Sequence, residues 1–160
     1  MKPQKTYTVT EATQALEHFC AYQERNHKEV EQKLRNLNMI PEARDHIILH
    51  LLQNNFLNEE RYAKAYVRGK FNQNKWGKIK IIKELKFKNI SSYNIKSGLK
   101  EISEEDYLLT LEMLATKKSN LIKEPNQFKK TAKLATYLIS KGYETELVFP
   151  IAKKLVLNKI

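Results

Sequence analysis

The residues of this chain with the plainest chemistry are cations. Between Arg61 and Lys100 the sequence holds twelve Lys or Arg and a single acid, Glu84. The resulting +11 equals the formal net charge of the whole 160-residue chain, so the remainder balances to zero. Charge that served solubility alone would be dispersed. An excess confined to one stretch points to a polyanion or to an acidic protein surface. Arg61, Lys64 and Arg68 recur about one helical turn apart and form one row. Lys75, Trp76, Lys80 and Lys83, with Ile79 and Phe87 beside them, mix cations with apolar and aromatic groups. That mixture suits single-stranded nucleic acid, whose phosphates are held by charge and whose unstacked bases rest on ring faces. Arg61, Lys64, Arg68, Lys75, Trp76, Lys80 and Lys83 are therefore the candidate partner- and nucleic-acid-binding residues. The competing fate of the Arg61 row is a merely solvated face. For Trp76 and Phe87 it is packing on a neighbouring helix pair while the lysines reach to water.

Other combinations carry less. His46 and His50 are four apart, with Glu42 one turn earlier, a spacing that can set two imidazoles on one metal. No Cys or further His lies nearby and the HExxH pattern is absent, so solvent-facing histidines are expected and no metal. There is no glycine-rich phosphate loop, no GxSxG and no paired-carboxylate arrangement, so no catalytic residue, no cofactor and no enzyme is expected. Glu59, Glu60, Glu104, Glu105 and Asp106 are explained by the helix dipole, which favours acids in a first turn. The single cysteine, Cys20, shares helical spacing with Leu16 and reads as a buried thiol unable to form an internal disulfide. No apolar run is long enough to span a bilayer, and the opening MKPQKTYTVTEATQAL lacks the apolar core of a signal peptide. A cytoplasmic monomer is the expectation.

These side chains need helices to position them. Thr8 and Glu11 fit a capping box, with Thr10 the rival cap, and open a helix predicted to run to Asn26. Asn26 and Glu29 fit a second box before Val30 and Leu34, and Pro41 suits the first turn of a helix carrying Ile47 and Leu51. Asn58 caps the next helix, expected to end near Gln73, with Tyr62, Ala65, Tyr66 and Gly69 as its apolar face. Asn74–Gly77 breaks it, and a helix from about Trp76 to Lys88 buries Ile81, Ile82 and Leu85. Ser91 or Ser92 caps a third with Ile95, Leu99 and Ile102. Beyond it, Ser103 caps a helix lined by Tyr107, Leu108, Leu111 and Leu114, and 117–126 reads as a loop. The next helix would pack Phe128, Ala132, Ala135 and Leu138 and stop at Gly142. The last would carry Leu147, Val148, Ile151 and Leu155, with Pro150 either kinking it or starting it.

The helices repeat. Val30, Ile81 and Leu134 align, as do Leu34, Leu85 and Leu138, then Met39, Ile90 and Tyr143, then Ile47, Ile95 and Val148, and Leu51, Leu99 and Ala152. A period near 50 residues predicts stacked three-helix units, each too small for a good core alone, so neighbours should share a buried face. The fold class expected is all-α: three tandem helix-turn-helix-like repeats, 1–55, 56–102 and 103–160, in an elongated, curved body.

The run from Phe56 to Ala63, then Tyr66-Val67-Arg68, then Gly77 with Ile81 and Glu84-Leu85, ending at Ile90, resembles the central signature of the RecX family of bacterial regulators of the RecA recombinase. Asn58 stands where that family often has Asp, which keeps the helix cap and drops a charge. The resemblance is strongest in the centre and weakest after Leu114. It implies a non-enzymatic regulator that binds the RecA filament on single-stranded DNA and impedes its extension. RecA ATPase, strand exchange and coprotease activity would fall as consequences. The alternative is a nucleic-acid-binding protein of helix-turn-helix-like units acting without RecA.

Overall fold

The computed structural model describes residues 5–157, and every regular element among them is helical. The helices fall into three consecutive triplets: α1 (Val9–Tyr22), α2 (His27–Asn36) and α3 (Pro41–Gln53); α4 (Glu59–Asn72), α5 (Lys78–Phe87) and α6 (Ser92–Leu99); and α7 (Glu104–Leu121), α8 (Gln127–Ser140) and α9 (Thr145–Leu157).

Local chemistry sets the starts. Thr8, not Thr10, caps α1, its hydroxyl accepting from the Glu11 N–H while the Glu11 carboxylate accepts from the Thr8 N–H. Asn26 and Glu29 do the same for α2. Asn58, Ser91, Ser103 and Asn126 each accept from a backbone N–H of the first turn of α4, α6, α7 and α8. The middle helices of the three units end alike. Asn38, Asn89 and Gly142 adopt left-handed backbone at φ 58°, 61° and 101°. In each case the next N–H reaches back five residues: Met39 to the Leu34 carbonyl, Ile90 to Leu85 and Tyr143 to Leu138. The stop thus repeats in register with the core.

That core follows the aligned positions. Leu34, Leu85 and Leu138 are fully buried, as are Val30, Ile81 and Leu134, and Ile47 and Val148. The buried residues form two separate clusters. One belongs to α1–α3 alone, from Ala12, Leu16 and Cys20 to Leu57. The other runs continuously through α4–α9, with Val67, Leu85, Tyr107, Leu111, Leu138 and Val148 among its members. The expected sharing of a buried face therefore holds between the second and third units. The first keeps its own core and meets the second through polar groups: Asn26 Nδ2 donates to the Tyr62 hydroxyl at 3.3 Å, and the Arg61 Nε donates to Glu24.

Several face and boundary assignments need correction. The buried side of α4 is Tyr62, Ala63, Val67 and Phe71, while Ala65 and Gly69 are only partly covered. Gly98 of α6 explains the rotation. A Cβ there would lie 3.0 Å from the Ala63 carbonyl oxygen, so α4 and α6 pack backbone to backbone. The α1 helix ends at Tyr22, short of Asn26, because Asn26 caps α2. The α7 helix continues to Leu121, which shortens the expected loop, and Leu108 faces solvent. On α8 the buried side is Thr131, Leu134, Ala135 and Leu138; Phe128 is 78% exposed. Pro150 lies inside α9, which begins ahead of it. The missing N–H leaves the Glu146 carbonyl without its helical donor, and Glu146 is exposed, where water can serve instead.

Candidate nucleic-acid interface

The cation-rich face depends on how α5 starts. Gly77 precedes it and no side chain caps it. Its first N–H groups are instead satisfied from the third unit. The Gly77 N–H donates to the Lys141 carbonyl at 2.7 Å, the Ile79 N–H to the Gly142 carbonyl at 2.9 Å, and the Lys78 N–H to the Tyr107 hydroxyl at 2.9 Å. The Tyr107 hydroxyl in turn donates to Glu144. The Tyr143 hydroxyl donates to the Lys75 carbonyl, and Lys141 Nζ to the Asn74 carbonyl. The α4–α5 turn is thereby docked on the α8–α9 turn through backbone groups. Two glycines permit the approach. A Cβ at Gly77 would lie 2.3 Å from the Gly142 carbonyl carbon, and one at Gly142 would lie 2.4 Å from Lys80 Cβ. Sequence reasoning placed Gly77 in a turn and Gly142 at a helix end but carried no signal that they meet.

On that platform the cations and rings interleave. Trp76 sits in the turn rather than at the head of α5, half-buried against the shared core, with Lys80 Nζ 4.4 Å and Lys70 Nζ 4.7 Å from its ring centroid. Lys70 also lies 5.5 Å from the Tyr66 ring, and Lys88 Nζ 5.8 Å from the same ring. Exposed apolar and basic groups continue along α5 as Ile79, Lys83 and Phe87, each four residues from the last. Lys75 stands in the left-handed region at φ 58° and its Nζ donates to the Asn72 carbonyl. Among the described residues Lys70, Lys75, Lys80, Lys83 and Lys88 have no carboxylate within salt-bridge range. Burial, and then the neighbouring charge of Lys80, hold Lys141 below the ordinary lysine range. The face is a basic surface whose cations crowd one another and are not neutralised from within. Tyr66, Lys70 and Lys88 were missed by sequence reasoning, although the four-residue step from Tyr66 to Lys70 was there to find.

The Arg61 row behaves differently. Arg61 pairs with Glu24 and its guanidinium also donates to the Asn55 and Phe56 carbonyls, so it is a seam residue between the first two units. Lys64 pairs with Glu60 at 3.2 Å and Arg68 with Glu101 at 3.2 Å, both near the surface. Glu59, assigned to the helix dipole, also accepts from Asn94 Nδ2 at 2.6 Å, tying α4 to the start of α6. His50 lies 3.4 Å from Glu17 and stacks on Phe56, and His46 is exposed.

The tyrosines of the seam give a pH signature. Burial, and then the hydrogen bond to Glu144, push the Tyr107 pKa far up; burial, then the Glu144 charge, do the same to Tyr143. Tyr66 is pushed up to about 12, by burial and then by Glu84. In each case folding favours the neutral phenol. The resulting stability is full below the unfolded tyrosine pKa of about 10 and is lost as pH climbs toward the folded values. Urea midpoints should therefore be flat from neutrality to about pH 9 and fall above about pH 10. The fall should be shallower in Tyr107→Phe, and an identical alkaline slope in that variant would remove Tyr107 from the account.

Comparison with known proteins bears on the same stretch. Residues 58–99 match the model of the second three-helix domain of RecX and residues 104–151 that of its third, together more than half of the chain. The regulatory protein RecX of Clostridium beijerinckii is 34% identical over 131 residues, covering 81% of this chain and 61% of that protein. That of Clostridium perfringens strain SM101 is 31% identical over 134 residues, covering 82% and 62%. The chain thus spans about six-tenths of the length of these relatives. The crystal structure of RecX from Lactobacillus salivarius superposes with a TM-score of 0.83 at 27% identity, covering 93% of this chain and 97% of that one. A second RecX crystal structure, with a TM-score of 0.79 at 20% identity, shares the fold. The two matched domains are the triplets α4–α6 and α7–α9, joined by the glycine seam beneath the basic face, and the chain belongs to the RecX family.

Proposed function

We propose that this chain is a negative regulator of RecA, binding the RecA filament on single-stranded DNA and impeding its extension. ATPase, strand exchange and coprotease activity of RecA then fall together. The observation that carries this is the set of α5-side cations, Lys75, Lys80 and Lys83 with Trp76 between, left without internal counter-charges, whereas Arg61, Lys64 and Arg68 are ion-paired within the chain. A body of tandem units that presents one basic face can lie along a polyanionic filament and engage several protomers, so modest contacts add through avidity. We place its action in the cytoplasm, as a monomer; among the described residues no helix is long and apolar enough to cross a membrane.

The test is a titration of RecA ATPase on single-stranded DNA. Inhibition should appear at substoichiometric amounts of the chain, because a blocked filament end silences many protomers. Inhibition that requires one chain per RecA would contradict the end-blocking mechanism. One feature favours a second reading, a protein that binds DNA without RecA. The outer face of α6, the last helix of a helix-turn-helix-like pair, exposes Tyr93 and Lys96, with Lys100 exposed just past its end. That reading expects bare DNA to be bound as tightly as RecA-coated DNA, with a steep salt slope. A filament regulator binds the coated form far better.

A further inference from the structure

A shallow groove of about 640 Å³ runs along α2, lined in part by Phe19, Lys28, Lys33 and Arg35. The carboxylates at its rim are already matched: Glu29 lies 3.6 Å from Arg25, and Glu31 lies 3.2 Å from Arg35. Lys28 and Lys33 have no such partner among the described residues, so they are the surplus charge of the groove. Both sit beside rings. Lys33 Nζ is 5.7 Å from the Phe19 centroid and Lys28 Nζ is 5.4 Å from that of Phe87.

Phe87 is the last residue of α5 and is 75% exposed. Lys28 Nζ donates to its carbonyl at 3.2 Å across the seam between the first and second units. The exposed line Ile79, Lys83, Phe87 spans most of α5, which at about 1.5 Å per residue is roughly 15 Å long, and its Phe87 end lies against Lys28, which lines this groove. The cation–aromatic chemistry of the second unit therefore continues onto the first without a break. It crosses the seam that has no shared apolar core and is held by Asn26–Tyr62, Glu24–Arg61 and Lys28–Phe87.

We propose that single-stranded nucleic acid bound along α5 passes over Phe87 into the α2 groove, with phosphates on Lys28 and Lys33, and so ties the first unit to the second. This rests on the reading of α5 as a nucleic-acid face. A single strand is favoured over a duplex because an exposed ring flanked by an ammonium offers its face only to an unstacked base. An acidic protein would satisfy the lysines but would leave the rings unused.

The test uses the full chain and a fluorescein-labelled oligo(dT), with anisotropy measured across a range of salt. Trp76 is the only tryptophan, so quenching of its emission reports the α5 end of the track separately. Lys28→Glu with Lys33→Glu should weaken binding about tenfold or more and reduce the salt slope by roughly 1 to 2, while Trp76 quenching at saturation is retained. Phe87→Ala should weaken binding with little change in slope. Circular dichroism melts confirm that the variants are folded. Hydrogen exchange supplies the coupling: amides of residues 23–26 should slow on binding in the parent and much less in Lys33→Glu alone, which leaves the Lys28–Phe87 contact of the seam in place. Affinity unchanged within about twofold with quenching intact would overturn the α2 groove while leaving α5 standing. Equal slowing of residues 23–26 in the parent and in Lys33→Glu would overturn the coupling. A parent that neither binds oligo(dT) nor shows quenching, yet associates with RecA, would overturn the reading of α5 and the present proposal with it, in favour of a protein-only partner.

Discussion

Gly77→Ala is expected to destabilise the second and third units by roughly 3–6 kcal/mol, out of the 5–15 kcal/mol that typically holds a domain together. The added Cβ would lie 2.3 Å from both the carbonyl carbon and oxygen of Gly142 and 2.4 Å from the Tyr143 nitrogen. All three are backbone atoms, so no rotamer change relieves the overlap. The α4–α5 turn has to withdraw, and in doing so it breaks the bonds from Gly77 and Ile79 to the 141–142 carbonyls and strains that from Lys78 to Tyr107. The first turn of α5 would then hold two or three unpaired N–H groups at a part-buried seam, each costing about 1–3 kcal/mol. Gly142→Ala should be comparably damaging for a further reason, since its φ of 101° is unfavourable to any residue with a Cβ. The control is Gly69→Ala. Gly69 lies inside α4 with nothing within 4 Å of the position a Cβ would take, and alanine there should stabilise by about 0.5–1 kcal/mol. The same substitution thus carries opposite signs eight residues apart, and urea unfolding reads both. A neutral Gly77→Ala would sink the docked-turn description.

The second large effect is on association rather than stability. Lys80→Glu with Lys83→Glu changes the charge of the α5 face by four while touching no internal ion pair. Unfolding should move within about 0.5 kcal/mol, as it does for most surface changes. Affinity for a single-stranded filament should fall on the order of 10–100-fold at low salt, with a salt slope smaller by roughly 1.4, two phosphate contacts at about 0.7 each. Trp76→Ala added to this pair should remove the ring that Lys70 and Lys80 flank and deepen the loss at all salt concentrations. A loss that appeared only once Trp76 was replaced would place the contact on the ring and not on the charge.

The order in which sequence and structure agree is itself physical. Leu34, Leu85 and Leu138 were legible because a 3.6-residue period that recurs about every 50 residues leaves a strong local trace, whereas of the three left-handed stops only Gly142 is plain in the sequence and Asn38 and Asn89 emerge from the structure. Caps such as Asn26 with Glu29 were legible because both partners lie within one turn. The α4 face was misjudged because Tyr62 and Tyr66 suit either a buried or a half-covered position, and the deciding contact, Ala63 against Gly98, lies 35 residues away. Phe128 shares helical spacing with Ala132 and Ala135 and so reads as a packing residue, but Thr131, whose hydroxyl bonds back to the Gln127 carbonyl, takes the inner position. The same limit applies to the interface. A row of cations is visible in sequence, but whether Glu24 and Glu101 reach Arg61 and Arg68 depends on packing between distant helices.

That difference in pairing is what separates the two candidate faces. Arg61 should be left intact, because reversing it would open the seam to Glu24 and confuse folding with binding. The comparison that remains is clean: Lys80→Glu with Lys83→Glu against Lys64→Glu with Arg68→Glu, each an equal change in charge. Both are assayed for inhibition of RecA ATPase on single-stranded DNA at low salt. The expected result is that the α5 pair loses inhibition while the α4 pair, already neutralised by Glu60 and Glu101, inhibits nearly as well as the parent. Full inhibition by the α5 pair with loss in the α4 pair would contradict the account and return the contact to the arginine row.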